Sequence, residues 1–467
     1  MLYSSRLRQF VCAASILLAG LPALRADFLF SDDYYWFDIQ HSRPEAAAWE
    51  ATMMTVMNGR PLHGLLFIAS FPAVATPAAW IALRVLGLLL LAFTGWSLAR
   101  TLRRVWEPRE ADWIATALAV LPGFVLFSFW LIAMPCLLAA ACGVFALELE
   151  LDAERRAWRR HAAAAGLLML GLFNYQPFAL IYFSLLGLFA LLGRFSPRAF
   201  WFGVVVTGVY FVLARLLIAA FGFDIAARGE LSFQPLEKLR WLFGSALPFA
   251  SKLWSIALPS AVGLAVLLAT AAVSVLRARL AWRELARRSF WFLACAALCV
   301  LPHLSVRETV SRWRTLLPLS LLFALAWFAA LGLRRWPKPA LPALVLGLLA
   351  LHAFELQRYG VLPERALVLQ AQQQLRAAGP EVFVLRATER DAACGPRLSD
   401  DEYTAPSSQR DYAVSGLVRL ASELEGLPMP EVTQGDDLER AAAPSIDLRH
   451  VQAQVCARAM RRVRGPS

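Results

Sequence analysis

The chain has 467 residues, 59% of them hydrophobic and 17% charged, with a mean hydropathy of +0.54 and a formal net charge of +12. Soluble globular chains are about 45–50% apolar and about 25% charged, so this composition excludes an ordinary water-soluble protein and points to lipid as the main solvent. The surplus cations fall in short loops between apolar blocks, where the positive-inside rule already requires them, so they imply no nucleic-acid partner.

Arg6 and Arg8 precede an apolar run from Phe10 to Leu24, the layout of a signal peptide. The only plausible cleavage site, Leu24-Arg25-Ala26, lacks the small residue expected two positions before the cut, so the run reads as a retained signal anchor. A long polar loop from Asp27 to about Arg60 follows. The segment from Pro61 to Thr76 is apolar but short, with Pro72 inside it, and reads as a re-entrant or interfacial element rather than a span.

Further on, the arginines set the topology. Arg6 and Arg8, Arg100 to Arg109, Arg155 to Arg160, Arg194 with Arg198, Arg277 to Arg288, and Arg334 to Lys338 mark one face, the cytoplasmic one. Between neighbouring clusters the apolar stretches are long enough for helical hairpins, with breaks near Leu131 to Pro135 and at Asn174 to Pro177. The opposite face receives the Asp27 loop, a second loop from Phe221 to about Trp241, the short Ser305 to Arg314, and the tail. This gives an all-α polytopic bundle of about eleven spans over residues 1–355 and, after Glu355, a small soluble α/β domain over residues 356–467. Within that tail Glu381 to Leu385 reads as a strand, and Val414 to Leu424 and Val451 to Val463 read as helices. No internal repeat is evident.

Cys12, Cys136, Cys142, Cys295 and Cys299 lie in apolar stretches and pack as small hydrophobes. Cys394 and Cys456 lie in the tail, which faces an oxidising compartment in this topology, and a disulfide between them is expected.

Asp32 and Asp33, in Phe30-Ser31-Asp32-Asp33-Tyr34-Tyr35-Trp36, need a reason to stand at the lip of a bilayer. One reason is helix capping, with Ser31 as N-cap and both acids in the first turn. The other is general-base catalysis, in which a carboxylate accepts the proton of a hydroxyl as its oxygen attacks a sugar carbon. A lipid phosphate leaving group departs as a stable anion and asks for cations rather than a second acid. Arg60, in Asn58-Gly59-Arg60-Pro61, and Arg307, Arg312 and Arg314 are on the same face and can hold phosphate, although Arg312 and Arg314 can equally anchor a helix end to headgroups. Tyr175 and Gln176 sit where an apolar span breaks and can line a cavity; alternatively Asn174 and Gln176 serve backbone groups freed by Pro177. His63 and His303 map near the same face without a firm third ligand, so no metal site is assigned, and a divalent cation is neither required nor excluded.

Taken together, the N-terminal span followed by Asp32-Asp33, the loop ending in Asn58-Gly59-Arg60-Pro61, the Tyr175-Gln176 break and the late arginine-rich Ser305 to Arg314 resemble the GT-C glycosyltransferase superfamily, in particular the Gtr-type glucosyltransferases of bacterial O-antigen. The resemblance covers residues 1–355. It implies an inverting transferase of the bacterial inner membrane, with a cytoplasmic N-terminus and a periplasmic C-terminus. Such an enzyme would move a sugar, glucose in the resembled group, from a polyprenyl-phosphate donor to a glycan or glycolipid acceptor, with a first-loop aspartate as base. A lipid-sugar flippase is the rival from another class, and a polymerase or ligase of sugar chains shares the substrates. Charges deep in the spans are few, chiefly Arg84 and Arg215, which favours surface chemistry over translocation.

Overall fold

The computed structural model describes residues 5–376 apart from positions 26, 154–156, 226–228, 233, 279, 308 and 333–335, together with 381–385, 411–435 and 445–448. Cys394, Cys456 and the helix expected at Val451 to Val463 lie outside the described residues.

Helix α1 (Ser5–Gly20) leads through a 3-10 turn to α2 (Asp32–Ser42). Proline in the first turn then opens α3 (Pro44–Met57), α4 (Pro61–Val74), α5 (Pro77–Leu102), α6 (Pro108–Ala119) and α7 (Pro122–Phe129). Proline suits that position because its φ is already helical and its missing N–H would have had no partner there. The chain continues through α8 (Cys136–Asp152), α9 (Trp158–Ala179), α10 (Ile181–Leu191), α11 (Pro197–Ala220), α12 (Pro235–Trp241) and α13 (Leu247–Ala250). Then follow α14 (Ser260–Ala278), α15 (Trp282–Cys299), α16 (Leu301–Ser305), α17 (Trp313–Ala330), α18 (Ala340–Glu355) and α19 (Leu362–Leu375).

Among the described residues four helices are long and apolar enough to cross a membrane: α5, α11, α17, and the stretch Ala340–Leu375, in which α18 passes through a π-helical turn into α19. The pairs α6 with α7 and α9 with α10, bent by 62° and 66°, raise the number to six if each pair is one span. Other apolar helices fall short of the about 20 residues a bilayer asks for. Helix α1 has 16 residues, α8 has 17, and α4 has 14 with Pro72 inside it. Counting apolar runs therefore gives a larger number, about eleven, than helix lengths do. The transition expected at Glu355 falls within the continuous Ala340–Leu375 helix.

Helix α7 is buried at every position and α10 and α17 nearly so, which puts them at the centre. By contrast α5 and α11 turn Leu86, Leu89, Val205, Val212 and Leu216 outward, as helices facing lipid do. Where both surroundings are apolar, close packing rather than hydrophobic burial selects the contacts. A Cβ on Gly87 of α5 would stand 2.1 Å from the Ser128 carbonyl oxygen in α7, so these backbones touch only because residue 87 is glycine.

The basic clusters meet one another. Arg8 and Arg103 share Asp112, Arg100 pairs with Glu148 at 2.9 Å, Arg104 with Asp152 at 2.8 Å, and Arg198 with Glu150 at 2.9 Å. Arg160 donates to the Asp152 carbonyl, Arg194 to that of Arg104, Arg288 to that of Leu191, and Arg109 to that of Lys338. Segments grouped by charge alone are thereby joined in space.

Past α19 come β1 (Glu381–Leu385), α20 (Asp411–Glu425), β2 (Glu431–Gly435) and β3 (Ser445–Asp447). These strands form a parallel sheet in the order β2-β1-β3, with Val382 opposite Val432 and Val384 opposite Ile446. Parallel neighbours need a crossover, and α20 lies between β1 and β2 in the chain. It buries Val414, Leu417, Val418 and Ala421 and packs on α2 and α19, so the tail is seated directly on the first loop.

Candidate active site

The site begins where α2 begins. Ser31 precedes the helix with φ 53° and ψ −120°, a left-handed backbone that a non-glycine residue holds at a cost of about 1–3 kcal/mol. It occupies the N-cap position, but its hydroxyl makes no capping bond and instead donates to Asp32 Oδ1 at 3.0 Å. Asp32 and Asp33 do fill the first turn, as the capping account expects, yet each has a further and different setting.

Asp33 is fully buried. Its two carboxylate oxygens accept the backbone amides of Leu131 (3.0 Å) and Ile132 (3.1 Å), in the turn between α7 and α8. Burial pushes the Asp33 carboxyl up to about 7, against the lowering effect of those amides and of Arg84. Arg84, buried in α5, donates to the Phe28 carbonyl at 2.7 Å and lies over the Phe28 ring at 4.2 Å, fixing the strand of chain that enters α2. Asp33 is thus a clamp between two loops.

Asp32, by contrast, lines a cavity of about 220 Å³. The same cavity is lined by Arg60, Tyr175, Gln176, Arg312 and Arg314, which reach it from the α3–α4 turn, the break in α9 and the start of α17. Gly59, at φ 71°, supplies the left-handed residue that turns the chain from α3 into α4. Tyr210 of α11 donates to the Gly59 carbonyl at 3.0 Å. Gln176 is the hub of this corner: its amide nitrogen donates to the Asn58 carbonyl at 3.0 Å and to the Tyr210 hydroxyl, and its oxygen accepts from Arg60 Nε at 2.7 Å. Tyr175 leaves helical geometry at φ −155°, ψ 104°, and its ring lies 4.4 Å from the Arg60 guanidinium. Asn174 and Gln176 do not serve the backbone freed by Pro177; Asn174 donates to the Pro135 carbonyl at 2.8 Å, and both amides tie the break to other segments.

Arg312 stands at the N-cap of α17 and Arg314 in its first turn, where Arg314 lies over the Trp130 ring at 5.3 Å. Arg307, the remaining arginine of that loop considered as a phosphate ligand, is apart from the cavity: it is exposed and pairs with Glu230 at 3.3 Å. His63 and His303 line the cavity, and among the described residues no group of three His, Cys, Asp or Glu could hold a metal ion.

Sequence reasoning assigned no site role to Arg215, Tyr210, Trp130 or Asn58, all of which line the cavity. For Arg215 the signal was present, a cation inside the apolar run of α11. Among the described residues, Arg60, Arg215, Arg312 and Arg314 line a cavity whose one lining carboxylate is Asp32, a positive field of the kind that attracts anions.

No family model matches the chain, no curated protein is similar to it, and no solved structure matches its fold.

Proposed function

We propose that the chain is an inverting glycosyltransferase of the bacterial inner membrane that moves a sugar, glucose in the first instance, from a polyprenyl-phosphate donor to a periplasmic glycan or glycolipid. The observation that carries this reading is the convergence of Asp32 and four arginines on one cavity. In the proposed step Asp32 takes the proton of the acceptor hydroxyl while its oxygen forms the new bond to the anomeric carbon. The bond from that carbon to the phosphate oxygen breaks, and its electron pair leaves with the lipid phosphate. Arg60, Arg312 and Arg314 stabilise the charge that develops there. The architecture proposed with it is a GT-C-like bundle of about eleven spans, short helices and broken pairs included, with the α/β tail in the periplasm.

The test is sugar transfer in membranes from polyprenyl-phosphate-glucose to the host's total membrane glycan. Asp32→Asn keeps shape and helix-start preference but not proton acceptance, and is expected to lower turnover by about 10²–10⁴-fold with the protein level unchanged. Wild-type turnover in that variant would remove Asp32 as the base.

A further inference from the structure

Helix α2 carries Asp32 on its first turn, so anything that tilts α2 re-aims that carboxylate. Its base is fixed by Asp33 on the Leu131 and Ile132 amides. Its length is fixed by the tail. A Cβ on Gly416 would stand 1.8 Å from the Tyr34 carbonyl oxygen, so α20 meets α2 backbone to backbone. One turn on, Arg419 Nε donates to Asp38 Oδ1 at 2.7 Å, and a turn further His41 Nε2 lies 3.4 Å from Glu423 Oε1. Tyr34, Asp38 and His41 therefore meet Gly416, Arg419 and Glu423 in the same order, so two helices run side by side in parallel, in register over about two turns. Arg365 of α19 adds a bond to Asp27 Oδ2 at 2.6 Å, just ahead of α2.

We infer that Gly416 and Arg419 are positioning residues that act through α2 on the aim of Asp32, so that the tail is part of the catalytic apparatus rather than an appendage. The inference rests on the reading of Asp32 as base. Asp38 stands about 9 Å along the helix axis from Asp32, far enough that its loss leaves the cavity wall intact but lets the helix tilt. A misplacement on the order of 1 Å can cost about 10²-fold in rate. The arginines assigned to the donor phosphate, Arg60, Arg312 and Arg314, come from the α3–α4 turn and the start of α17, outside the α2–α20 pair, so donor binding should not change.

The experiment compares full-length Arg419→Ala, Arg419→Lys, Gly416→Leu and the charge exchange Asp38→Arg with Arg419→Asp, with Asp32→Asn alongside. Each is assayed in membranes with polyprenyl-phosphate-glucose as the varied substrate. Arg419→Ala and Gly416→Leu are expected to lower kcat by about 10²-fold at an unchanged donor KM, and Arg419→Lys and the exchange to recover most of it. Three results overturn the inference while leaving the base reading intact, provided Asp32→Asn is inactive: wild-type kcat in Arg419→Ala and Gly416→Leu, a loss that appears as raised donor KM, or a loss that neither Arg419→Lys nor the exchange recovers. Full activity in Asp32→Asn overturns the base reading and the inference with it.

Discussion

Arg60 Nε is bound to Gln176 Oε1 at 2.7 Å, which joins two segments 116 positions apart and leaves the flat guanidinium lying across Tyr175. The arrangement fixes the plane of the cation before any ligand arrives. Arg60→Lys keeps the charge but loses the fork, so donor KM is expected to rise about tenfold with kcat less affected. Gln176→Ala leaves Arg60 Nε and the Asn58 carbonyl without that partner, each a loss of about 1–3 kcal/mol where water is excluded. A lower melting temperature together with a raised donor KM is expected, measured on detergent-solubilised protein and in membranes. If Gln176→Ala changed neither quantity, the corner would not be pre-organising Arg60.

A second prediction concerns orientation. In the proposed topology Asp27 to Arg60 and everything after Glu355 lie outside and Arg155 to Arg160 inside. An alkaline phosphatase fusion after residue 400 is expected to be active and one at Arg156 inactive. The reverse pair of results would invert the topology and move the cavity to the cytoplasmic side.

Much of this arrangement could be read from residue types, because the physics that selects them is local. Basic clusters, the proline-led breaks at Leu131 to Pro135 and Asn174 to Pro177, and the helix start at Asp32 all follow from charge, the missing N–H of proline and first-turn preferences. What sequence left unresolved was which of two adjacent acids does what. Asp32 and Asp33 are equivalent as first-turn residues, and the amides of Leu131 and Ile132 that distinguish them are about a hundred positions away. Arg307 has the same ambiguity: it looks like Arg312 and Arg314 until Glu230, brought up by the preceding loop, takes it. The span count from apolar runs, about eleven, exceeds the four to six helices or bent pairs long enough to cross for a related reason, since apolar run length does not say whether a run makes one helix or two bent ones.

Ser31 supplies a third prediction, because its backbone and its hydroxyl can be separated. Ser31→Gly removes the cost of φ 53° and should stabilise the fold by roughly 1 kcal/mol, partly offset by the freedom glycine gains when unfolded. Ser31→Ala keeps that cost. Both lose the bond to Asp32 Oδ1, so both are expected to lower kcat several-fold while their melting temperatures move apart. Equal kcat to wild type in both variants would show that the hydroxyl does not orient Asp32.

The last prediction turns on the raised carboxyl of Asp33. An acid whose value in the fold lies near 7, above its ordinary 3.8, binds its proton more tightly folded than unfolded. Its contribution to stability is therefore complete below about 3.8, declines as pH rises through the window up to about 7, and is constant above it. Asp33→Asn has no such titration and also presents an N–H toward one of the two amides, which breaks one bond of the clamp. The wild-type advantage in melting temperature over Asp33→Asn is expected to shrink between pH 4 and about 7 and then hold level. Because Trp130, Ile132 and Ala133 of the clamped segment line the cavity, the variant should also bind donor less tightly, unlike Asp32→Asn, whose deficit should lie in kcat. Melting curves across that pH range, with donor KM for both variants, separate clamp from base. A difference in melting temperature that stayed flat, or grew with pH, would mean that Asp33 is not the buried titrating group placed here.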